Sequence, residues 1–176
     1  MELLKLLIKP RIRVGLSVNK LNIMIKYKLI NSSQAIYEYN ITEIEKLLNI
    51  KFPKDLQELY LTFNGGEIEG DKNVYISNSG TEYSIKTFMP IKYKRFTEDQ
   101  LLEENTIYFI NKKLVSNNYL IFSMDWGGFP FCYNLQYGSI YFANLETEES
   151  DKRMEFVANS LEEFINGMKT EEEAYN

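Results

Sequence analysis

The chain contains no histidine and only one cysteine, Cys132, among its 176 residues. Without histidine, neither a Ser-His-Asp nor a Cys-His catalytic arrangement can form, and the imidazole ligand common in metal sites is missing. One cysteine cannot form an internal disulfide or a site with several thiolates. An enzyme built on this sequence would therefore have to use carboxylate, lysine or tyrosine chemistry.

Basic residues are scarce outside the first thirty positions. Residues 1–30 hold seven Lys or Arg and one Asp or Glu, a balance of +6, whereas residues 31–176 hold 13 against 24, a balance of −11. An acidic region repels nucleic-acid phosphates and favours a basic partner, because complementary charges steer association. The alternative is an acidic surface that only keeps the protein in solution.

The chain also lacks a long apolar run. Four basic side chains interrupt the apolar residues of 1–15, so the sequence predicts neither a membrane span nor a secretory signal. Together with the unpaired cysteine, this predicts a reducing, cytoplasmic location. Residues 1–30 are predicted to be a basic extension in which the alternating positions 21–30 form a strand, and we expect residues 1–23 to be dispensable.

Three short runs rich in β-branched and aromatic residues occupy the stretch from Tyr119 to Asn144. They span residues 120–124, 129–135 and 139–143, and glycine-containing turns separate them. This pattern predicts an antiparallel meander. In the middle run, aromatic and aliphatic side chains recur at every second position, which is typical of a strand buried on one face.

Helical patterns flank this meander. A capping arrangement of Asn40 with Glu43 predicts the start of a first helix, which stops near Asn49. A second helix is predicted to begin at Phe52-Pro53 and to end in a left-handed cap at residues 64–66. A closing helix follows the capping box at residues 160–163.

Shorter patterns lie between the second helix and the meander. They predict strands at residues 74–77, 83–88 and 106–111, and a short helix capped by Thr97. The expected fold class is therefore α+β, a single domain in which an antiparallel, mainly meander sheet carries an N-terminal helix pair and a C-terminal helix. We assign residues 31–170 to this domain and residues 171–176 to an acidic tail.

Several separated pieces of the chain follow one another in a set order. They are Ile44-Glu45 with Leu48, Phe52-Pro53, Asn64-Gly65-Gly66, an Asp with paired glycines and a Gly-x-Ile-Tyr strand within Ser123–Ala143, and the helix start Ser160–Phe164. Together, over about Ile41 to Met168, they resemble the SUKH superfamily, the Smi/Knr-like domain. The chain departs from the family pattern at Phe129-Pro130 and Asn134-Leu135.

The resemblance implies a non-enzymatic domain common among bacterial immunity proteins. Such a protein binds and neutralises a cognate toxin, often a nuclease or another effector delivered between competing bacteria. Other members of the superfamily act as intracellular regulatory or scaffold modules, and the sequence does not separate these two roles. The resemblance implies a protein partner and no cofactor or metal; the acidic balance predicts that this partner is basic.

Two groups of residues are candidate partner contacts. The glycine loop contributes Asp125, Trp126 and Phe129, and the loop after the second helix contributes Glu67, Glu69 and Asp71. Aromatic anchors beside charged residues are typical of binding hot spots. The alternatives are burial of the two aromatic side chains in the core and a solvated acidic loop, since its spacing matches no calcium-binding EF-hand.

The paired glycines are predicted to serve backbone geometry, as structural residues of the two loops. This structural group is Asn64, Gly65, Gly66, Gly127 and Gly128.

Two other functions are weaker candidates. The basic run at residues 92–96, with its two aromatic residues, is a pattern found in single-strand nucleic-acid sites. Because it lies in an acidic domain, we expect no nucleic-acid partner. Cys132 as a nucleophile, or paired carboxylates as acid and base, would make the protein an enzyme. Cys132 lies within a predicted strand with no histidine to activate it, so we expect a packing residue.

Overall fold

Nine strands and five helices make up the part of the chain that the structure describes. A computed structural model describes residues 25–150 and 152–176. The elements in chain order are β1 Leu29–Ile30, α1 Glu38–Leu48, α2 Lys54–Thr62, β2 Glu67–Ile68, β3 Val74–Ile76, β4 Glu82–Ser84, β5 Thr87–Phe88, α3 Leu102–Asn111, β6 Tyr119–Met124, β7 Pro130–Asn134, β8 Ile140–Ala143, β9 Met154–Ala158, α4 Leu161–Asn166 and α5 Glu171–Tyr175.

The main sheet has five antiparallel strands in the order β5-β6-β7-β8-β9. The predicted meander is confirmed, because β6, β7 and β8 lie side by side with Cys132 opposite both Ile121 and Tyr141. The prediction that the middle strand is buried on one face is wrong. The consecutive residues Phe131 and Cys132, whose side chains point to opposite faces of the strand, are both fully buried. This is expected for a central strand covered on both sides.

One phenylalanine of α4 packs against rings from three elements of the sheet region. The Phe164 ring lies 5.2 Å from Tyr75 of β3, 5.8 Å from Phe122 of β6 and 5.4 Å from Phe131 of β7, measured between centroids. These rings belong to one continuous core, in which each large aromatic side chain buries a large apolar area. The α+β, single-domain fold class is therefore confirmed.

The segment before the meander differs from its prediction. Residues 106–111, predicted as a strand, belong to α3. The buried positions Leu102, Thr106 and Phe109 follow helical spacing, so packing against β6 outweighs the strand propensity of the run. The helix predicted at Thr97 is also wrong, because residues 97 and 98 form a turn and the helix begins five residues later.

The helix starts and ends were predicted approximately. Helix α1 begins after Tyr37, and Asn40 acts from the third helical position, where its Oδ1 accepts the Tyr37 N–H at 3.1 Å. The N-cap predicted at Asn40 is therefore wrong by three residues. The left-handed cap predicted for α2 is also wrong, since Phe63 ends that helix with an extended backbone.

Strand pairing divides the predicted strand at residues 83–88. Its first part, β4, pairs with β3, while β5 joins β6 in the main sheet. Of the strand predicted at 21–30, only Leu29–Ile30 forms a strand among the described residues, and it pairs with β2. Positions 21–24, and the proposal that residues 1–23 are dispensable, lie outside the described residues.

The C-terminal elements include one strand that the sequence analysis missed. Strand β9 forms the edge beside β8, but it lacks clear alternation because its first three residues are half-buried or exposed. Helix α4 follows as predicted, with the Ser160 hydroxyl accepting the Glu163 N–H at 3.0 Å. The predicted acidic tail is a short helix, α5, which docks through a 2.5 Å ion pair between Lys72 and Glu173. No helix in the described ranges is long and apolar enough to cross a membrane.

Candidate functional site

Asn64 is a buried polar side chain that joins two separate segments. Its Nδ2 donates to the backbone oxygens of Gln34 at 2.8 Å and Ile91 at 2.9 Å, and its Oδ1 accepts the Ile91 N–H at 2.8 Å. Only 2% of the residue is exposed. The amide therefore pairs with Ile91 as a neighbouring strand would, and it holds the segment after β5 against the segment before α1.

The two following glycines allow close backbone contact. Gly65 and Gly66 have φ values of +72° and +115°, which side chains with a Cβ resist. A Cβ on Gly66 would lie 2.2 Å from the Ile30 carbonyl oxygen. Gly66 also exchanges two backbone hydrogen bonds with Phe88, at 2.9 and 2.8 Å. The contact links the β1–β2 pair to the edge of the main sheet.

A tight turn between β6 and β7 exposes Trp126. Asp125 closes this turn, because its Oδ1 accepts the Phe129 N–H at 2.7 Å while its own N–H donates to the Phe129 carbonyl. Gly128 adopts φ +84° within it. Trp126 is 66% exposed, so its burial in the core, the alternative raised from the sequence, does not occur. Phe129 is half-buried, with its ring 5.9 Å from that of Phe142.

Trp126 lies between two neighbouring grooves. The first groove, about 490 Å³ in volume, runs between residues 95–100 and the turn joining β6 to β7, here called the glycine turn, whose Gly127 and Gly128 line it. Asn64 and Gly66 also line this groove. The second groove, about 380 Å³, runs between Trp126 and the loop after β2. Both are bounded by Lys86, Arg95 and Asp99. The fold thus brings the two predicted contact loops together around one exposed aromatic ring.

The acidic loop contributes two of its three carboxylates to the second groove. Glu67 and Asp71 line this groove, whereas Glu69 does not and accepts the Lys28 N–H at 3.0 Å. Glu67 accepts a hydrogen bond from Asn31 and lies 3.9 Å from an Arg95 nitrogen. Within the described residues, the Asp71 carboxylate has no hydrogen bond or ion pair. It is the carboxylate of this loop that remains available to a partner.

Basic side chains that were not among the predicted contacts also line the grooves. The Lys86 ammonium lies over the Trp126 ring at 5.7 Å from its centroid. Three carboxylates face two cations in the first groove, and three face three in the second, where Lys72 is the third cation. The grooves therefore have mixed charge rather than the uniformly acidic character suggested by composition. No pattern in the sequence indicated this pairing, because Lys86 is far from Trp126 along the chain.

The basic run at residues 92–96 makes internal contacts. Lys92 Nζ lies 2.6 Å from Glu43, and Lys94 Nζ lies 3.0 Å from Glu104. Arg95 donates to the Asn31 carbonyl at 2.6 Å and lies over the Phe96 ring. The three cations are thus engaged with neighbouring parts of the protein and tie one wall of the first groove to α1 and α3.

A carboxyl group and a thiol are buried outside both grooves. Glu103 Oε1 accepts the Lys92 N–H at 3.0 Å, its Oε2 has no partner in the described part of the chain, and burial raises the pKa of its carboxyl. Burial likewise raises the pKa of the Cys132 thiol, which is fully enclosed. Among residues 25–150 and 152–176, no cluster of three or more His, Cys, Asp or Glu side chains is arranged to hold a metal ion.

A family model described as SMI1 / KNR4 family (SUKH-1) matches residues 36–167. The chain belongs to this family. The match confirms the resemblance found in the sequence, and it includes the glycine turn, residues 64–71 and nearly all of both grooves. The SUKH-1 family is associated with immunity proteins in toxin systems. A comparison with curated protein sequences found no match.

Proposed function

We propose that this SUKH-1 protein is a cytoplasmic immunity protein that binds and neutralises a cognate toxin of basic character. The observation that carries the proposal is Trp126, which is 66% exposed between two grooves formed by loops within the family match. A large aromatic side chain surrounded by a polar rim is the usual composition of a binding hot spot. Asp125, Glu67 and Asp71 form part of that rim, whereas Glu69 and Phe129 contribute through local structure.

Neutralisation would follow from a protein surface covering the toxin's functional surface. Burying the Trp126 ring supplies desolvation energy, and its indole N–H provides one directional hydrogen-bond donor. Exposed, unpaired carboxylates such as Asp71 attract a basic toxin during diffusion and so increase the association rate. Both positive and negative side chains line the grooves, and this adds specificity because a partner has to match charges of both signs.

A growth assay tests the proposal directly. If the reading frame beside that of this chain encodes a secreted toxin, its C-terminal module is expressed in a sensitive bacterium with the full chain or a variant. Wild type should restore growth and Trp126→Ala should not. The matched control is Tyr137→Ala, which removes another exposed ring, 71% accessible, from the turn at the opposite end of β7. Circular dichroism establishes that both variants remain folded.

Two results would refute the proposal. The first is failure of the wild-type chain to protect or to bind the purified module. The second is full protection by Trp126→Ala.

The steering of a basic toxin by exposed carboxylates is tested by Asp71→Lys, which should slow association and reduce its salt dependence. The control is Glu148→Lys, in an exposed loop outside both grooves. Equal rates for these two variants would contradict the steering role of Asp71.

A further inference from the structure

Four buried apolar residues contribute to the lining of the first groove. Phe88 and Met89 are each 1% exposed, Met124 is 6% exposed, and Pro90 is also buried. The small exposed parts of these four residues form the apolar floor of the groove, beside its polar groups. A methylene chain laid on them loses unfavourable contact with water without leaving a buried polar group unpaired.

Aromatic rings stand on both walls of this groove. Trp126 projects from the glycine turn, and Phe96, 52% exposed, projects from the facing loop. A cation close to the face of an aromatic ring is attracted by the negative charge of that face. The protein already uses this interaction twice here, with Lys86 over Trp126 and Arg95 over Phe96.

The charged groups of the groove leave carboxylate oxygens on three side chains and the ammonium group of Lys86 for a ligand. Arg95 is engaged by the Asn31 carbonyl at 2.6 Å and by the Phe96 ring. Asp99 uses Oδ2 to accept two backbone N–H groups and Asp125 uses Oδ1 to accept one, so each keeps a second oxygen. The Glu98 carboxylate makes no hydrogen bond or ion pair with the described residues. Lys86 contacts the Trp126 ring but no carboxylate among the described residues. Three carboxylates with free oxygens therefore face one available ammonium group, and the excess charge open to a ligand is negative.

We propose that the first groove receives an arginine side chain of the protein partner. This proposal rests on the proposed function and names the chemistry that the same site recognises. The methylene groups of the arginine lie on the floor, and the guanidinium lies beside the Trp126 and Phe96 rings and donates to Asp125 and Glu98. Arginine is favoured over lysine because its planar head can stack on a ring and donate to two carboxylates at once.

The single tryptophan of the chain makes this proposal measurable without the toxin. Trp126 is the only tryptophan, so fluorescence excited beyond the tyrosine absorption, and the one indole N–H signal in NMR, report on the two grooves that it lines. A variant of Asp125, which lines only the first groove, separates the two. The full chain is titrated with three blocked tripeptides, Gly-Arg-Gly, Gly-citrulline-Gly and Gly-Glu-Gly, at matched ionic strength. Citrulline keeps the length and planarity of arginine and removes its charge.

The arginine peptide should produce a saturable change with a dissociation constant of roughly millimolar order, as expected for one side chain. The citrulline peptide should bind about fivefold more weakly, which corresponds to about 1 kcal/mol of cation–π and ion-pair energy. Asp125→Asn keeps the acceptor for Phe129 and should weaken arginine binding by a similar factor. Glu162→Gln in α4, outside both grooves, should leave it unchanged.

Three outcomes would overturn the inference: equal effects of arginine and citrulline peptides, a larger saturable effect of the glutamate peptide through Lys86, or no saturable effect of any peptide. The experiment is independent of neutralisation. If the chain protects cells but ignores arginine peptides, the ligand chemistry is wrong and the proposed function stands. If it binds arginine peptides but fails to protect, the proposed function is wrong.

Discussion

Asn64 offers the most direct test of how this site is held together. The amide joins the segment after β5 to the segment before α1 through three hydrogen bonds of 2.8 to 2.9 Å, and it is 2% exposed. Asn64→Ala removes the side-chain donors and acceptor together. It leaves two carbonyl groups, on Gln34 and Ile91, and one N–H, on Ile91, without their partner.

The expected loss follows from these unpaired groups. A buried backbone group left without its hydrogen bond costs about 1–3 kcal/mol, whereas the net contribution of a typical intramolecular hydrogen bond is only about 1 kcal/mol. Water can reach some of the vacated space because Asn64 lines the first groove. We therefore expect Asn64→Ala to lower the free energy of unfolding by about 3–5 kcal/mol. This value lies near the low end of the range for three unpaired groups, each of which costs about 1–3 kcal/mol.

Urea unfolding followed by circular dichroism measures this change. The midpoint should fall while the dependence on urea stays the same, which marks a loss of stability rather than a different unfolded state. The control is Asn78→Ala, which removes the same side chain from an exposed turn between β3 and β4 and should change stability by no more than about 0.5 kcal/mol. A loss below about 1 kcal/mol for Asn64→Ala would refute the bridging role inferred from its geometry.

Three further predictions concern other buried positions. Gly66→Ala should destabilise the fold far more than Gly80→Ala, because both glycines have positive φ but only at Gly66 would a Cβ meet a carbonyl, at 2.2 Å; equal losses in urea unfolding would contradict this. Burial raises the pKa of Glu103 above 4.5, so the folded state holds this proton more tightly than the unfolded state, and stability should fall as the pH rises through this region. Glu103→Gln should abolish that part of the pH dependence, and an unchanged pH profile would be evidence against it. The enclosed Cys132 thiol, whose pKa burial raises, should react with a disulfide reagent only after unfolding; rapid reaction of the native protein would count against its burial.

Local patterns predicted the elements whose own residues carry the signal. The meander came from alternating aromatic residues between glycine turns, and α4 came from its capping box. The same kind of reasoning failed at α3, where a run of strand-forming residues becomes a helix because Leu102, Thr106 and Phe109 pack against β6. It also missed β9, since an edge strand with exposed residues has little alternation.

For the candidate site, too, local composition predicted the separate loops but not how they come together. Each contact loop was identifiable from its composition, and Trp126 could be singled out as an aromatic residue in a glycine turn. Their meeting at two shared grooves depends on Asn64 and Gly66, which bring β5 and the N-terminal segment together. Lys86 enters the site through this long-range arrangement, so nothing near it in the chain indicated its role.

The sequence by itself determined the family, the order of the main elements and the exclusion of histidine-dependent chemistry, because those properties depend on residue identity and local spacing. Only the tertiary structure decided that Trp126 is exposed, that the basic run at 92–96 is engaged internally and that the grooves have mixed charge. The physical reason is that exposure and charge pairing are set by neighbours distant in the chain, which come together only when the core packs.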